Sequence, residues 1–370
     1  MDESQIKFVS ELPDCKEFYS LHKKLLKIIY QWPGQNPLFR KVFIWLSTVM
    51  TAAALTGVIT EMNNFMFDDW NNIYFRGETK IFQKYGKYAR IAAQFITGYI
   101  FITAVVFLSV AIPAVVLNVV KPLNESRIIP TVVEMEFGIN QANHQIPYLI
   151  YTYITVWCSL SNIVCYDIIY STYLIHNTAM FNITGYTFEY LLYNRNEEAQ
   201  KNFDDEKRTL RAVWERALNF HHRALQFNFL FENTFTYPCA IELIMCTLQS
   251  SLSMIHVMYS LERKEYHETV RYAVFVISQF VRLFINVLPG QLLMNSSNNL
   301  YTSIYNGNWN FLPLKYQKMI VIVLTKARKT TYVTASKLFI LGFEIFTVWV
   351  KTVVSYFAIA LSLQRQSNLI

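Results

Sequence analysis

Six stretches of the sequence, near residues 38–60, 89–120, 147–180, 236–260, 270–294 and 338–363, are each long and apolar enough to cross a bilayer. A helix rises about 1.5 Å per residue, so about twenty residues span a hydrocarbon core of about 30 Å. Backbone amides in lipid must bond within their own helix or around a closed barrel. Glycine and proline are scarce, 10 of each in 370 residues, and no strand-like alternation recurs, which argues against a barrel. Only 16% of the residues are charged against 53% apolar and 16% aromatic. That balance belongs to polytopic membrane proteins rather than soluble domains. The expected class is all-α and membrane-embedded, with about six recognisable spans.

The net charge of +7 is spread over loops, so it reports topology and is no signal for nucleic acid. Residues 1–37 are polar and lysine-bearing, which is unlike a secretory leader. The loop after residue 180 carries Arg195, Lys201, Lys207, Arg208, Arg211, Arg216 and Arg223. The segment before the last span carries Lys315, Lys318, Lys326, Arg328, Lys329 and Lys337. Both should be cytoplasmic, and the less basic 121–146 loop external. The sequon Asn124-Glu125-Ser126 lies in that external loop, the only side where Asn124 could be glycosylated. The last span then exits to an external tail. One conflict stands: the N-terminus and the 61–90 stretch both read as internal, and a single crossing at 38–60 cannot satisfy both. Either that region is a re-entrant hairpin or a second span is missing.

Residues 14–31 pattern as an interfacial amphipathic helix, with Phe18, Leu21, Leu25, Ile28 and Ile29 on one stripe. Asp68-Asp69-Trp70 should open a polar segment leading to the second span. A charged helix is expected over 197–232, running on into the next span, and another over 313–330. The 147–180 stretch exceeds what a bilayer requires and should tilt or project.

Signals for enzymatic chemistry are weak, so no catalytic residue and no cofactor is assigned. There is no Walker A loop, G-x-S-x-G or G-x-G-x-x-G. His221 and His222 lack the spacing of a metal site. The cysteines suggest buried hydrophobes rather than a disulfide framework. Charges inside apolar stretches say more, because each costs about 2.5–3.5 kcal/mol on insertion scales. Glu242 and Arg282 lie in adjacent spans and could pair. Glu344 and Lys351 share one face of the last span, either as a mutual ion pair or bordering an aqueous path. Aromatic residues crowd the outer half of the second and third apolar stretches, as a ligand pocket or as ordinary lipid-facing side chains.

Trp32-Pro33, Asp69-Trp70, Asn124-Glu125-Ser126-Arg127, His222 to Glu232, Tyr305 to Trp309 and Ser355-Tyr356-Phe357 occur in an order that resembles the insect odorant receptors. The resemblance runs from about residue 15 to the C-terminus. It implies the insect odorant-receptor fold, normally seven transmembrane helices with a cytoplasmic N-terminus. It further implies a ligand-specific subunit that joins a longer odorant co-receptor in a heterotetramer, in the plasma membrane of olfactory sensory neurons. Such a channel would pass cations without selectivity when a small volatile or lipid-like odorant binds.

Carried onto this sequence, the resemblance assigns 1–37 to a cytoplasmic N-terminal segment. Residues 38–294 become the transmembrane helices, 295–337 a cytoplasmic anchor, and 338–370 the pore helix and tail. Ile359 becomes the hydrophobic gate, with Ser362 and Leu363 at the outer mouth. Phe95, Tyr99, Tyr148, Tyr151, Thr152 and Thr155 become the odorant-binding candidates. Two helices normally separate the Trp-Pro and Asp-Trp landmarks, but Pro33 and Asp69 are only 36 positions apart, so about one helix is missing. A truncated gene model, a splice product and a divergent receptor are the readings of that gap. A metabotropic seven-helix chemoreceptor and a secondary transporter are the competing classes; the first lacks its usual motifs here and the second its repeats.

Overall fold

The computed structural model describes residues 52–73, 75–109, 120, 145–193 and 203–367, and in it the apolar stretches 147–180, 236–260 and 270–294 each lie within a longer helix. Among the described residues, seven α-helices follow in order: α1 (Ala52–Asn71), α2 (Arg76–Leu108), α3 (Gln145–Tyr193), α4 (Phe203–Glu262), α5 (Tyr266–Asn306), α6 (Leu314–Ala327) and α7 (Phe343–Ser367). A two-stranded hairpin, β1 (Thr334–Ala335) with β2 (Phe339–Ile340), joins α6 to α7. Among the described residues, four helices, α2 to α5, are long and apolar enough to cross a membrane by length and composition. The expected helix over 14–31, most of the first apolar stretch and the Asn124 sequon lie outside the described residues.

The 61–90 region departs from the sequence expectation. Rather than opening a polar segment, Asp69 and Trp70 form the last turn of α1 and are 0% and 5% exposed. Asn72 ends the helix by donating its backbone N–H and side-chain Nδ2 to Asp68 O, at 3.1 and 2.8 Å. Glu78, three residues into α2, reaches back to the Phe75 N–H at 3.5 Å, the reciprocal half of a capping box. Two arginines of α4 fasten this turn. Arg216 donates to Glu78 Oε1 (2.8 Å) and to Asn72 O (2.8 Å). Arg223 donates to Asp69 Oδ1, while His176 of α3 meets Asp69 Oδ2 at 3.1 Å. A buried carboxylate is tolerated only with such partners, and both oxygens of Asp69 have them.

The main core lies at this end of the bundle, called basal below. Phe227, Phe231 and Phe235 recur every four residues on α4 and so share one face. They meet Tyr170 and Tyr173 of α3, with ring centres 4.5 Å apart for Phe231–Phe235 and 5.5 Å for Tyr170–Phe231. Away from the core, Ile241, Ile244, Leu248 and Leu252 of α4 and Ile277 of α5 are more than half exposed. A soluble protein would not carry a continuous apolar face of this kind, which suits lipid or another subunit.

The expected cytoplasmic helix does run unbroken into its span, as the 60 residues of α4. Helix α5 crosses Pro289-Gly290 without interruption. The last apolar stretch does not begin as helix at 338: residues 334–340 form the hairpin, and α7 starts at Phe343. Ser336 and Lys337, the first two of the three residues between the strands, take positive φ values of 54° and 59°, and Leu338 N donates to Ala335 O at 3.1 Å to close the turn. Contacts from α4 hold them there: Ser336 N donates to Thr236 O at 2.9 Å, and Lys337 N to Thr236 Oγ1 at 3.3 Å.

Candidate functional site

Asp167 of α3, Glu242 of α4, and Arg282 and Asn286 of α5 converge within the apolar spans. Arg282 donates from Nε to Asp167 Oδ2 (2.8 Å) and from Nη2 to Asp167 Oδ1 (3.1 Å). The same Nη2 lies 2.9 Å from Glu242 Oε1. Asn286 Nδ2 bridges both carboxylates, at 3.1 Å to Asp167 Oδ1 and 2.8 Å to Glu242 Oε1. The expected Glu242–Arg282 pair is present, but the sequence reading missed Asp167. The signal was available, since Asp167 is a lone carboxylate in an apolar stretch like Glu242. Beside the network is a cavity of about 10 Å³ bounded by Tyr170, Glu242, Asn286 and Leu341, room for one water. Asn286 Oδ1 is buried there with no hydrogen-bond partner among the described residues. Both Asp167 oxygens and Glu242 Oε1 are bonded, which is how lipid-depth charges are normally stabilised.

The residues next to Arg282 and Asn286 on α5 reach the last helix. Leu283 and Val287 pack with Trp349 and Val353 of α7 and Cys246 of α4. Trp349 and Val353 therefore define the inward face of α7. The opposite face is exposed and carries a polar stripe flanked by Val348, Val354 and Ile359: Glu344, Thr347, Lys351, Ser355 and Ser362 fall within about 80° of one another at 100° per residue. No ion pair joins Glu344 to Lys351, so the mutual-pair reading fails and both side chains stand exposed. Ile359 lies beside this stripe and is 54% exposed. Leu363 belongs to α7, but its side chain lies outside the described residues.

The odorant candidates divide. Tyr99 packs against the cluster of Ala93, Ile96, Ile100, Val164 and Ile168, which Ile285 of α5 also meets. Its hydroxyl is buried with no hydrogen-bond partner among the described residues, in electrostatic range of Asp167 and Arg282. Phe95 is 56% exposed on the outward side of α2, with its ring centre 6.0 Å from Tyr99. Thr155 is half-buried on α3, and its carbonyl accepts a bond from Ser159 Oγ at 2.9 Å. Tyr148, Tyr151 and Thr152 lie on α3, with side chains outside the described residues. Sequence reasoning also missed Gln279 and Ser250, both buried in the distal halves of α5 and α4, because single polar residues in apolar runs carry no periodic signal.

The fold is similar to that of two solved structures: the insect olfactory receptor OR5 from Machilis hrabei, alone and in complex with eugenol. The first superposes with a TM-score of 0.70 at 13% identity, the second with 0.69 at 12%. Each comparison covers 94% of this chain and 98% of the receptor's. At that identity the likeness speaks for the fold. No curated protein matches. The family model described as 7tm Odorant receptor matches residues 65–354. A match over that much of the chain, on a bundle with this fold, makes the protein a multi-pass member of the odorant receptor family.

Proposed function

We propose that the chain is the odorant-binding subunit of a heteromeric, odorant-gated, non-selective cation channel, assembled with a longer odorant co-receptor in the plasma membrane of olfactory sensory neurons. The polar stripe of α7 carries this reading. An apolar helix that exposes Glu344, Lys351, Ser355 and Ser362 along one line is poorly suited to lipid. It is well suited to a water-filled path between subunits. Ile359, beside the stripe and toward its far end, supplies the apolar ring that closes a pore by dewetting. With the N-terminus cytoplasmic, the basal end faces the cytosol, which agrees with its arginines and lysines.

Co-expression with a co-receptor, with currents recorded across an odorant panel, tests the reading. Eugenol, held by one of the similar Machilis hrabei structures, is a sensible first probe. Silence of the whole panel at normal surface expression would reject the channel assignment. Replacing Ile359 with serine should raise the resting current several-fold; an unchanged leak would remove Ile359 from the gate.

Odorant binding in this proposal centres on Tyr99, whose buried hydroxyl is an unused hydrogen-bonding group facing the α2–α3–α5 junction. A neutral hydrogen bond is worth about 0.5–1.5 kcal/mol net. Tyr99→Phe should therefore weaken hydroxyl- or carbonyl-bearing odorants about two- to tenfold and leave hydrocarbons unchanged. A uniform shift across both classes would assign Tyr99 to packing alone.

A further inference from the structure

Between the basal segments of α2, α3 and α5 lies a second cavity, of about 250 Å³ and open to the surface. Lys84 lines it from α2, Tyr186 and Glu189 from α3, and Asn299 and Ser303 from α5. Its inner wall is fixed, because Asn182 Nδ2 donates to Ser296 Oγ at 2.8 Å, tying α3 to α5. Lys84 and Glu189 are exposed, on different helices, and neither forms an ion pair among the described residues. Instead the Lys84 ammonium lies 6.0 and 5.9 Å from the ring centres of Tyr85 and Tyr88. One pocket thus presents a cation, an anion, an amide and hydroxyl groups.

Depth narrows the ligand. The apolar run of α2 begins near Ile91, seven residues beyond Lys84, or about 10 Å along the helix. Headgroup layers extend about 5–8 Å beyond the hydrocarbon on each side. The cavity mouth therefore sits at the headgroup–water boundary of the basal leaflet. Drug-sized ligands fill pockets of about 300–1,000 Å³, so this smaller one suits a headgroup.

We propose that the cavity binds the phosphoethanolamine group of a phosphatidylethanolamine from the cytoplasmic leaflet. Lys84 would meet the phosphate as a point charge, and Glu189 would accept charge-assisted bonds from the primary ammonium. Glu189 discriminates against purely anionic headgroups such as phosphoinositol. A quaternary choline has no N–H to donate to it. The leaflet rests on the orientation proposed above, and the measurement below is made without odorant, so a silent receptor leaves it intact.

Full-length protein purified in detergent is incubated with phosphatidylethanolamine, phosphatidylcholine or phosphatidylinositol, and retained lipid is read by native mass spectrometry. Retention of the ethanolamine lipid should exceed each of the others at least fivefold. Lys84→Ala and Glu189→Ala should each reduce that preference below twofold while leaving the thermal midpoint unchanged, since both side chains are exposed. Equal retention of the three lipids, or a preference untouched by both variants, would overturn the proposal. Free phosphoethanolamine binding as tightly as the lipid would overturn the lipid assignment and give the site to a soluble ester.

Discussion

Arg282→Met should remove most folded receptor from the cell surface, whereas Glu242→Gln should leave it close to wild type. Among the described residues, the guanidinium is the single cation paired with Asp167 and Glu242, and it bonds both. Without it two carboxylates remain within lipid depth, sharing only the Asn286 amide. Breaking a buried ion pair by deleting one partner costs about 3–5 kcal/mol. A typical folding margin is about 5–15 kcal/mol, so a tenfold or larger loss is expected. The Glu242 change acts in the opposite sense. It leaves one carboxylate on one guanidinium, and a glutamine oxygen can still accept from Asn286 Nδ2. Surface labelling together with thermal melts in detergent reads both variants. Comparable loss in the two, or survival of Arg282→Met, would show that the network is not what holds α3, α4 and α5 together.

That network also marks how far the sequence could be read. A charge in an apolar run is visible because its cost demands a partner, so Glu242 and Arg282 announced themselves. Asp167 carried the same signal. What no linear pattern contains is that three helices bring these residues to one level. The helices themselves were legible from hydropathy, but their ends were not. α2 begins at Arg76, well before its apolar run, because Glu78 and Arg216 secure a charged first turn against α4. The Asp69-Trp70 pair looked polar and proved buried, since its partners, His176 and Arg223, come from positions more than a hundred residues away.

The hairpin was the least legible element. Each strand has two residues, too short for alternation, and its turn uses Ser336 and Lys337 rather than the glycine or asparagine that signals positive φ. It exists because α4 supplies Thr236 as a backbone and side-chain acceptor. The α7 stripe lies between these extremes. Its two charges were evident in sequence, but whether they paired or faced outward depended on Trp349 and Val353 taking the inward face.

The hairpin leads directly to the second large effect, at Gly290. A Cβ added there would lie 2.3 Å from the carbonyl oxygen of Leu341, closer than real Cβ atoms come. The obstacle is backbone, and it is held from two sides. Leu341 N donates to Val333 O at 2.9 Å, and Phe343 N to Gln291 Oε1 at 3.1 Å. It cannot rotate away as a side chain would, so Gly290→Ala has to push the start of α7 off α5 by about 1 Å, at a typical overpacking cost of about 1–3 kcal/mol. Because that displacement enters α7 just before Glu344, odorant-evoked current should fall at least tenfold, with a lowered thermal midpoint. Gly98→Ala is the matched control. It lies in α2 with nothing within 4 Å of the added Cβ. Replacing that helical glycine with alanine should stabilise by about 0.5–1 kcal/mol. Its currents should match wild type, with a midpoint equal or higher. If the two substitutions behaved alike, the close approach of α5 to the entry of α7 would have no part in positioning the last helix.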